Sequence, residues 1–181
     1  SLLRALLIRG SESSTLARLV QGRGLARRAV RRFLPGETLD DALDAAAQQA
    51  AFGIGTTLTY LGEKVTDAAA TETVARHYLE ALDRVRARGL PCEISLKLTH
   101  LGLDLRPDVC LGMVEWICAR AEATGTAVWI DMEGSAHTAR TLAVFRAVRT
   151  RHRGLGLCVQ AYLRRTPADV EPLIPLGAAI R

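Results

Sequence analysis

Apolar residues recur along this chain in two alternating rhythms. Residues 74–88, VARHYLEALDRVRAR, carry apolar positions at Val74, Tyr78, Leu82 and Val85 and stop at Gly89, a spacing that predicts an amphipathic helix. The next segment, CEISLKL (92–98), is a short and nearly unbroken apolar run, which predicts a strand. Pro107 then opens a helix through Val109, Met113, Ile117 and Ala121, closed by Gly125. AVWIDM (127–132) predicts a third strand, followed by a helix from His137 to His152 with Ser135 as its cap and Gly154 at its end. LGLCVQAYL (155–163) predicts a fourth strand. Thr166 and Pro167 supply a cap and a first residue for another helix, and AAIR (178–181) reads as a fifth strand just begun.

The same alternation extends toward the start of the chain. In FLPGETLDDALDAAAQQAAFG, Pro35 and Gly36 mark a turn, and Thr38 with Asp41 resembles a capping box. A helix is predicted from Leu39 to Phe52, stopped by Gly53. IGTTLTYLGE is rich in β-branched residues and predicts the first strand, ending near Gly62.

Near-continuous apolar strands separated by helices imply parallel pairing with both faces of the sheet covered. An open doubly wound sheet usually carries a glycine-rich phosphate loop after its first strand, and here that place is taken by LGEKVTDAA. The fold class expected is therefore α/β: an incomplete (βα)8 TIM-type barrel of parallel strands with outer helices, preceded by N-terminal helices. Residues 1–52 read as an N-terminal helical segment and 53–181 as the first half of the barrel, cut off before it closes. Polar residues stand at or near the carboxyl ends of the strands, namely Glu63, Lys97, Asp131, Glu133 and Gln160. In a β/α barrel that end carries the chemistry.

With 181 residues, 49% hydrophobic and 24% charged, the chain can bury a sizeable core. Its net charge of +5 gathers near the start, at Arg23, Arg27, Arg28, Arg31 and Arg32, alternating with apolar residues as on a solvated helix face. The three Phe, three Tyr and two Trp are not interleaved with that run, so nucleic acid is not an expected partner. A membrane-surface patch is the remaining functional reading of the basic face. SLLRALLIRG is interrupted by Arg4 and Arg9, and neither a signal peptide nor a transmembrane helix is expected. Cys92, Cys110, Cys118 and Cys158 form no CxxC pair and read as reduced cysteines of a cytoplasmic protein.

Among 22 arginines the chain has only two lysines, Lys64 and Lys97, and the second falls in a strand. Its ammonium can anchor a substrate carboxylate with Asp131 holding its charge and direction, or it can pair with a carboxylate such as Asp131 and do nothing else, and the two readings are compatible. Asp131 and Glu133 form a D-x-E pair expected to leave the strand on one face. No further ligand recurs at a metal-binding spacing, so no metal is expected. Gln160, in an otherwise apolar strand, suits the edge of a heterocycle or is a satisfied core amide.

Taken in order, FLPGETLDDALDAA, IGTTLTYLGEKVTD, EISLKLTHLGLD, VWIDMEGS, LGLCVQAYLRRT and AAIR resemble the successive blocks of the bacterial single-function proline dehydrogenases. The resemblance implies a (βα)8 barrel that binds FAD, oxidises L-proline to Δ1-pyrroline-5-carboxylate and passes electrons to a quinone. By it, Lys97 matches the lysine on the proline carboxylate and Asp131 an active-site aspartate. Gln160 matches a glutamine on the isoalloxazine, and Arg181 the arginine beside the flavin's reactive nitrogen. The expected location is the cytoplasm, with peripheral contact at the inner membrane face. The family's following block and its late pair of substrate-clamping arginines are not among these residues, and Arg164 with Arg165 is not that pair. The 181 residues are therefore expected to be inactive alone. A noncatalytic half-barrel working through a partner chain, or another flavin or metal barrel enzyme, is the alternative.

Overall fold

The computed structural model describes residue 34, residues 36–61, residue 65 and residues 67–181. The basic run and Glu63 lie outside the described residues. The chain divides between Ala45 and Ala46 into two units, and the sheet belongs to the second.

The first helix, α1 (Leu39–Ala50), begins as its sequence dictates. The Asp41 amide donates to Thr38 Oγ1 at 3.1 Å and the Thr38 amide donates back to Asp41 Oδ2 at 3.1 Å, so two orphan amide donors are satisfied reciprocally. Four strands follow: β1 (Thr56–Thr59), β2 (Cys92–Leu96), β3 (Val128–Ile130) and β4 (Leu155–Leu157). Between them run α2 (Ala68–Ala87), α3 (Pro107–Thr124) and α4 (Thr138–Arg149). After β4 come the short α5 (Thr166–Val170) and a 3₁₀ segment, Glu171–Leu176.

All neighbouring strands pair in parallel, in the order β1-β2-β3-β4. Sequential order with right-handed crossovers sets the three connecting helices, α2, α3 and α4, on the same side of the sheet, which is the winding of a β/α barrel and not of a doubly wound sheet. A fifth strand begins where predicted. Leu157 pairs in parallel with Ile180, the Arg181 amide donates to the Leu157 carbonyl at 3.0 Å, and the Val159 amide donates to the Arg181 carbonyl at 2.9 Å.

Alternation along each strand divides the side chains. Ile94, Leu96, Val128, Ile130, Leu155 and Leu157 are all at most 1% exposed, and they meet Leu82, Val85, Val114, Ile117, Phe145 and Val148 from the helices. This is the core of the sheet-bearing unit, and burying a Leu, Ile or Phe side chain contributes about 1.5–3 kcal/mol each. Helices α2 and α3 stop at Gly89 and Gly125, whose φ values of +62° and +73° are left-handed conformations that glycine adopts without a Cβ penalty.

Several boundaries differ from the sequence reading. Helix α2 starts at Ala68, earlier than its apolar stripe, because Asp67 caps it by accepting from the Ala70 amide at 2.8 Å. Ser135 does not cap α4; His137 holds that position, and Ser135 is exposed. Thr166 is not a cap either, since its hydroxyl donates to the Gln160 carbonyl at 2.7 Å. On α3 the buried stripe is Cys110, Val114, Ile117, Cys118 and Ala121, while Val109 and Met113 are only half-buried.

Two polar clamps fix the ends of the strands. At the amino-terminal rim, buried Arg149 donates to the carbonyls of Arg153, Leu155 (3.2 Å) and Gly177 (2.6 Å), tying α4 to the starts of β4 and of the fifth strand. At the opposite rim, Asp104 accepts from Arg140 Nη2 at 2.6 Å and lies 3.0 Å from His137 Nε2. The His137 hydrogen bond first, and Arg140 next, holds the Asp104 carboxyl below its ordinary value of 3.8.

Each clamp makes a measurable prediction. Arg149→Met leaves three carbonyls without their cationic donor and should destabilise the chain by about 2–3 kcal/mol, read as a lower urea midpoint. For Asp104 the folded pKa lies below the unfolded one, so the unfolded state binds more protons at acid pH. The stabilisation is then complete well above 3.8 and is lost as pH falls through the depressed folded value. Wild type should exceed Asp104→Asn in urea midpoint near neutral pH, and the gap should close in acid below that range; a gap independent of pH would assign the effect to packing.

Candidate functional site

The face of the sheet opposite the helices carries a different set of side chains. Period-two alternation and the register, with Thr57 opposite Glu93, Thr59 opposite Ser95, Ser95 opposite Trp129 and Trp129 opposite Gly156, gather these residues on the inner face of the arc. Asp131 and Cys158 continue that face one step toward the carboxyl ends, and Arg181 joins it from the fifth strand.

Around Asp131 the geometry is tight. Ser95 Oγ donates to Asp131 Oδ1 at 2.7 Å, and Arg181 Nη2 donates to the same oxygen at 3.1 Å and to Ser95 Oγ at 3.1 Å. Arg181 Nε lies 3.1 Å from Cys158 Sγ. Burial, reinforced by Asp131 and opposed by Arg181, pushes the Cys158 thiol up to about 11, so it stands in the site as a neutral thiol at physiological pH. The expected partnership of Lys97 with Asp131 is not formed. Asp131 is taken by Arg181, which arrives on the fifth strand, two strands away from Asp131.

Strand β2 ends at Leu96, so Lys97 lies one residue beyond it, but its backbone stays extended (φ −105°, ψ 127°) and it remains on the side of Ser95. Its side chain is half-buried and has no hydrogen-bond or ion-pair partner among the described residues. The chain then turns into a 3₁₀ segment, Leu98–Leu101, that holds buried His100. Burial and then Lys97 lower the His100 pKa, with Glu133 opposing, which leaves the imidazole neutral at neutral pH. A cation and a neutral ring thus share one corner of the strand ends.

Glu133 does not converge with Asp131. Its carboxylate accepts from the Thr99 amide at 3.0 Å and from Thr99 Oγ1 at 2.5 Å, fastening the 3₁₀ turn, and its carbonyl accepts from Gln160 Nε2 at 3.3 Å. Gln160 follows β4 and its Oε1 has no donor among the described residues. The donor set at these ends is therefore one partly engaged guanidinium, one free ammonium and one carboxamide with an open acceptor. That set suits an anionic heterocycle and a carboxylate.

Sequence reasoning missed Glu93, Ser95, Trp129 and Gly156. Counting back by twos from Lys97 and Asp131 finds the first three, because strand alternation carries a functional face as surely as a core face.

Known proteins share this architecture. Residues 42–179 match the family model described as proline dehydrogenase. Proline dehydrogenase 1 of Bacillus subtilis subsp. natto is 31% identical over 180 residues, which cover 99% of this chain and 59% of that protein. The proline dehydrogenase of Deinococcus radiodurans is 28% identical over 157 residues, covering 83% of this chain and 50% of that one. Among solved structures, proline utilization A from Bdellovibrio bacteriovorus superposes with a TM-score of 0.72 at 20% identity, over 81% of this chain and 19% of that one. A Bradyrhizobium japonicum proline utilization A superposes at 0.67 and 23% identity, over 90% and 19%. The chain thus spans 59% of the length of the first of these relatives, and the solved structures share its barrel winding. With the family model matching residues 42–179 and the parallel strands in the order that a β/α barrel demands, this chain belongs to the proline dehydrogenase family.

Proposed function

We propose that the protein containing this chain is an FAD-dependent dehydrogenase that oxidises L-proline to Δ1-pyrroline-5-carboxylate and passes the electrons to a quinone. The observation that carries the reading is the separation of two cations at the strand ends. Arg181 is held by Asp131, Ser95 and Cys158, whereas half-buried Lys97 has no partner among the described residues.

Proline brings a carboxylate that must be fixed while its C5–H bond is directed elsewhere. Lys97 takes that carboxylate, because a half-buried ammonium without a counter-ion gains most from an incoming anion. Neutral His100 beside it adds no competing charge. Asp131, already bonded to Ser95 and Arg181, holds the guanidinium in place and is not a free base. The donor set fits a flavin: Arg181 has donor capacity left, and Gln160 presents the open acceptor of its amide to a heterocycle edge. Bound flavin supplies the hydride acceptor. Arg181 stabilises negative charge that develops beside it, a preorganised electrostatic role.

The electron acceptor and the site of action follow from the same reading. A quinone is met at a membrane, so the protein acts in the cytoplasm with peripheral contact at the inner membrane face. Among the described residues no helix is long and apolar enough to cross a membrane.

Two substitutions separate the cations. Lys97→Met in the flavin-loaded enzyme should weaken binding of a cyclic carboxylate analogue of proline by about tenfold or more, with flavin stoichiometry unchanged. Loss of flavin with unchanged analogue affinity would move Lys97 off the substrate. Arg181→Met should lower the flavin reduction potential and slow reduction by proline while changing analogue affinity less. An unchanged potential would remove Arg181 from the flavin side.

A further inference from the structure

Arg181 touches more than its hydrogen-bond partners. Its Cζ stands 5.2 Å from the ring centroid of Trp129, the residue two steps before Asp131 on the same strand face. At that range a guanidinium over an indole is held by the ring quadrupole. The indole itself is fixed. Trp129 Nε1 donates to Glu93 Oε2 at 2.6 Å, a charge-assisted bond that sets the ring angle and enriches its π system.

Room for this ring comes from β4. A Cβ built on Gly156 would lie 2.5 Å from Cε3 and Cζ3 of Trp129, a distance no side chain can hold. The indole therefore packs against the glycine, and the guanidinium stands over the ring. Glu93, Trp129, Gly156 and Arg181 come from four successive strands, and none but Arg181 has a place in the mechanism above.

We propose that Trp129 is a positioning residue: its indole, oriented by Glu93 and admitted by Gly156, is the platform that sets the Arg181 guanidinium at the carboxyl end of the sheet. The proposal rests on the reading of Arg181 as the cation beside the flavin. Hydrogen bonds from Nη2 to Asp131 and Ser95 hold the guanidinium on one side, and the indole holds it on another. With its position held in this way, the cation needs little reorientation when charge develops beside it.

The test reads the contact and its effect separately. In the flavin-free chain, the Arg181 Nε–H and Cδ–H resonances should be shifted upfield by the indole ring current, and Trp129→Leu should abolish the shift. In the flavin-loaded enzyme, Trp129→Leu should lower the flavin potential and slow reduction by proline about tenfold, in the direction of Arg181→Met. Glu93→Ala should do the same to a lesser degree, and Glu93→Gln, which keeps an acceptor for the indole N–H, should restore it. If Trp129→Leu does not fold, Trp129→Phe and Gly156→Ala are read in its place, with a reduced ring-current shift and a lowered potential expected for both. A wild-type chain without the upfield shift overturns the platform itself. A shift that disappears while potential and reduction rate stay at wild-type values overturns the positioning role. If Arg181→Met leaves the potential unchanged although the ring-current shift is present, the reading of Arg181 fails and the proposal falls with it.

Discussion

The ion pair between Asp131 and Arg181 spans an intervening strand, and the rest of the site depends on how little that strand puts in the way. At the level of this pair the intervening strand presents Cys158, just past the end of β4, while the room over Gly156 is taken by the Trp129 indole. With a larger residue in place of Cys158, the third and fifth strands could not exchange side chains across it. A small residue lets the carboxylate of one strand meet the guanidinium two strands on, and this contact gives the site its charge balance. Lys97 can remain an unpaired cation because Asp131 is already neutralised.

The same polar groups discharge a structural obligation. The inner face of a parallel sheet holds backbone groups already paired in the ladder, so each inward carboxylate, hydroxyl or indole N–H must find a partner among its neighbours. Glu93 finds the indole, Ser95 and Arg181 find Asp131, and Glu133 finds Thr99. These bonds thus satisfy the inward carboxylates, the Ser95 hydroxyl and the indole N–H and aim the groups at the strand ends. Site and scaffold are the same set of hydrogen bonds.

What could be read from the sequence follows the range of the interaction responsible. Glycine stops at residues 53, 89 and 125 and the cap formed by Thr38 and Asp41 are local, and the structure has them where the sequence places them. The strands are legible as apolar runs, and their parallel order follows from the helices between them. The start of α2 is not, because Ala68, Ala69 and Ala70 carry no periodic signal and only the Asp67 cap defines it. Lys97, Asp131, Gln160 and Arg181 were identifiable as residues, but not their pairing. Lys97 stands next to the Asp131 strand, while Arg181 reaches it from two strands away. Arg149 shows the same limit: a buried arginine among surface-spaced arginines looks like any other until its carbonyl partners are known.

Arg149 sets an alignment tolerance for the whole inner face. Its guanidinium grips the Gly177 carbonyl four residues before Arg181, so the fifth strand is pinned at the end opposite to the one that works. A slip of one residue between that pin and the sheet would move the strand by about 3.3 Å and turn Arg181 from the inner face toward the helices. The distance from Gly177 to Arg181 therefore acts as a gauge: a residue inserted or deleted in that interval would leave the fold's core intact and deliver the wrong side chain to Asp131.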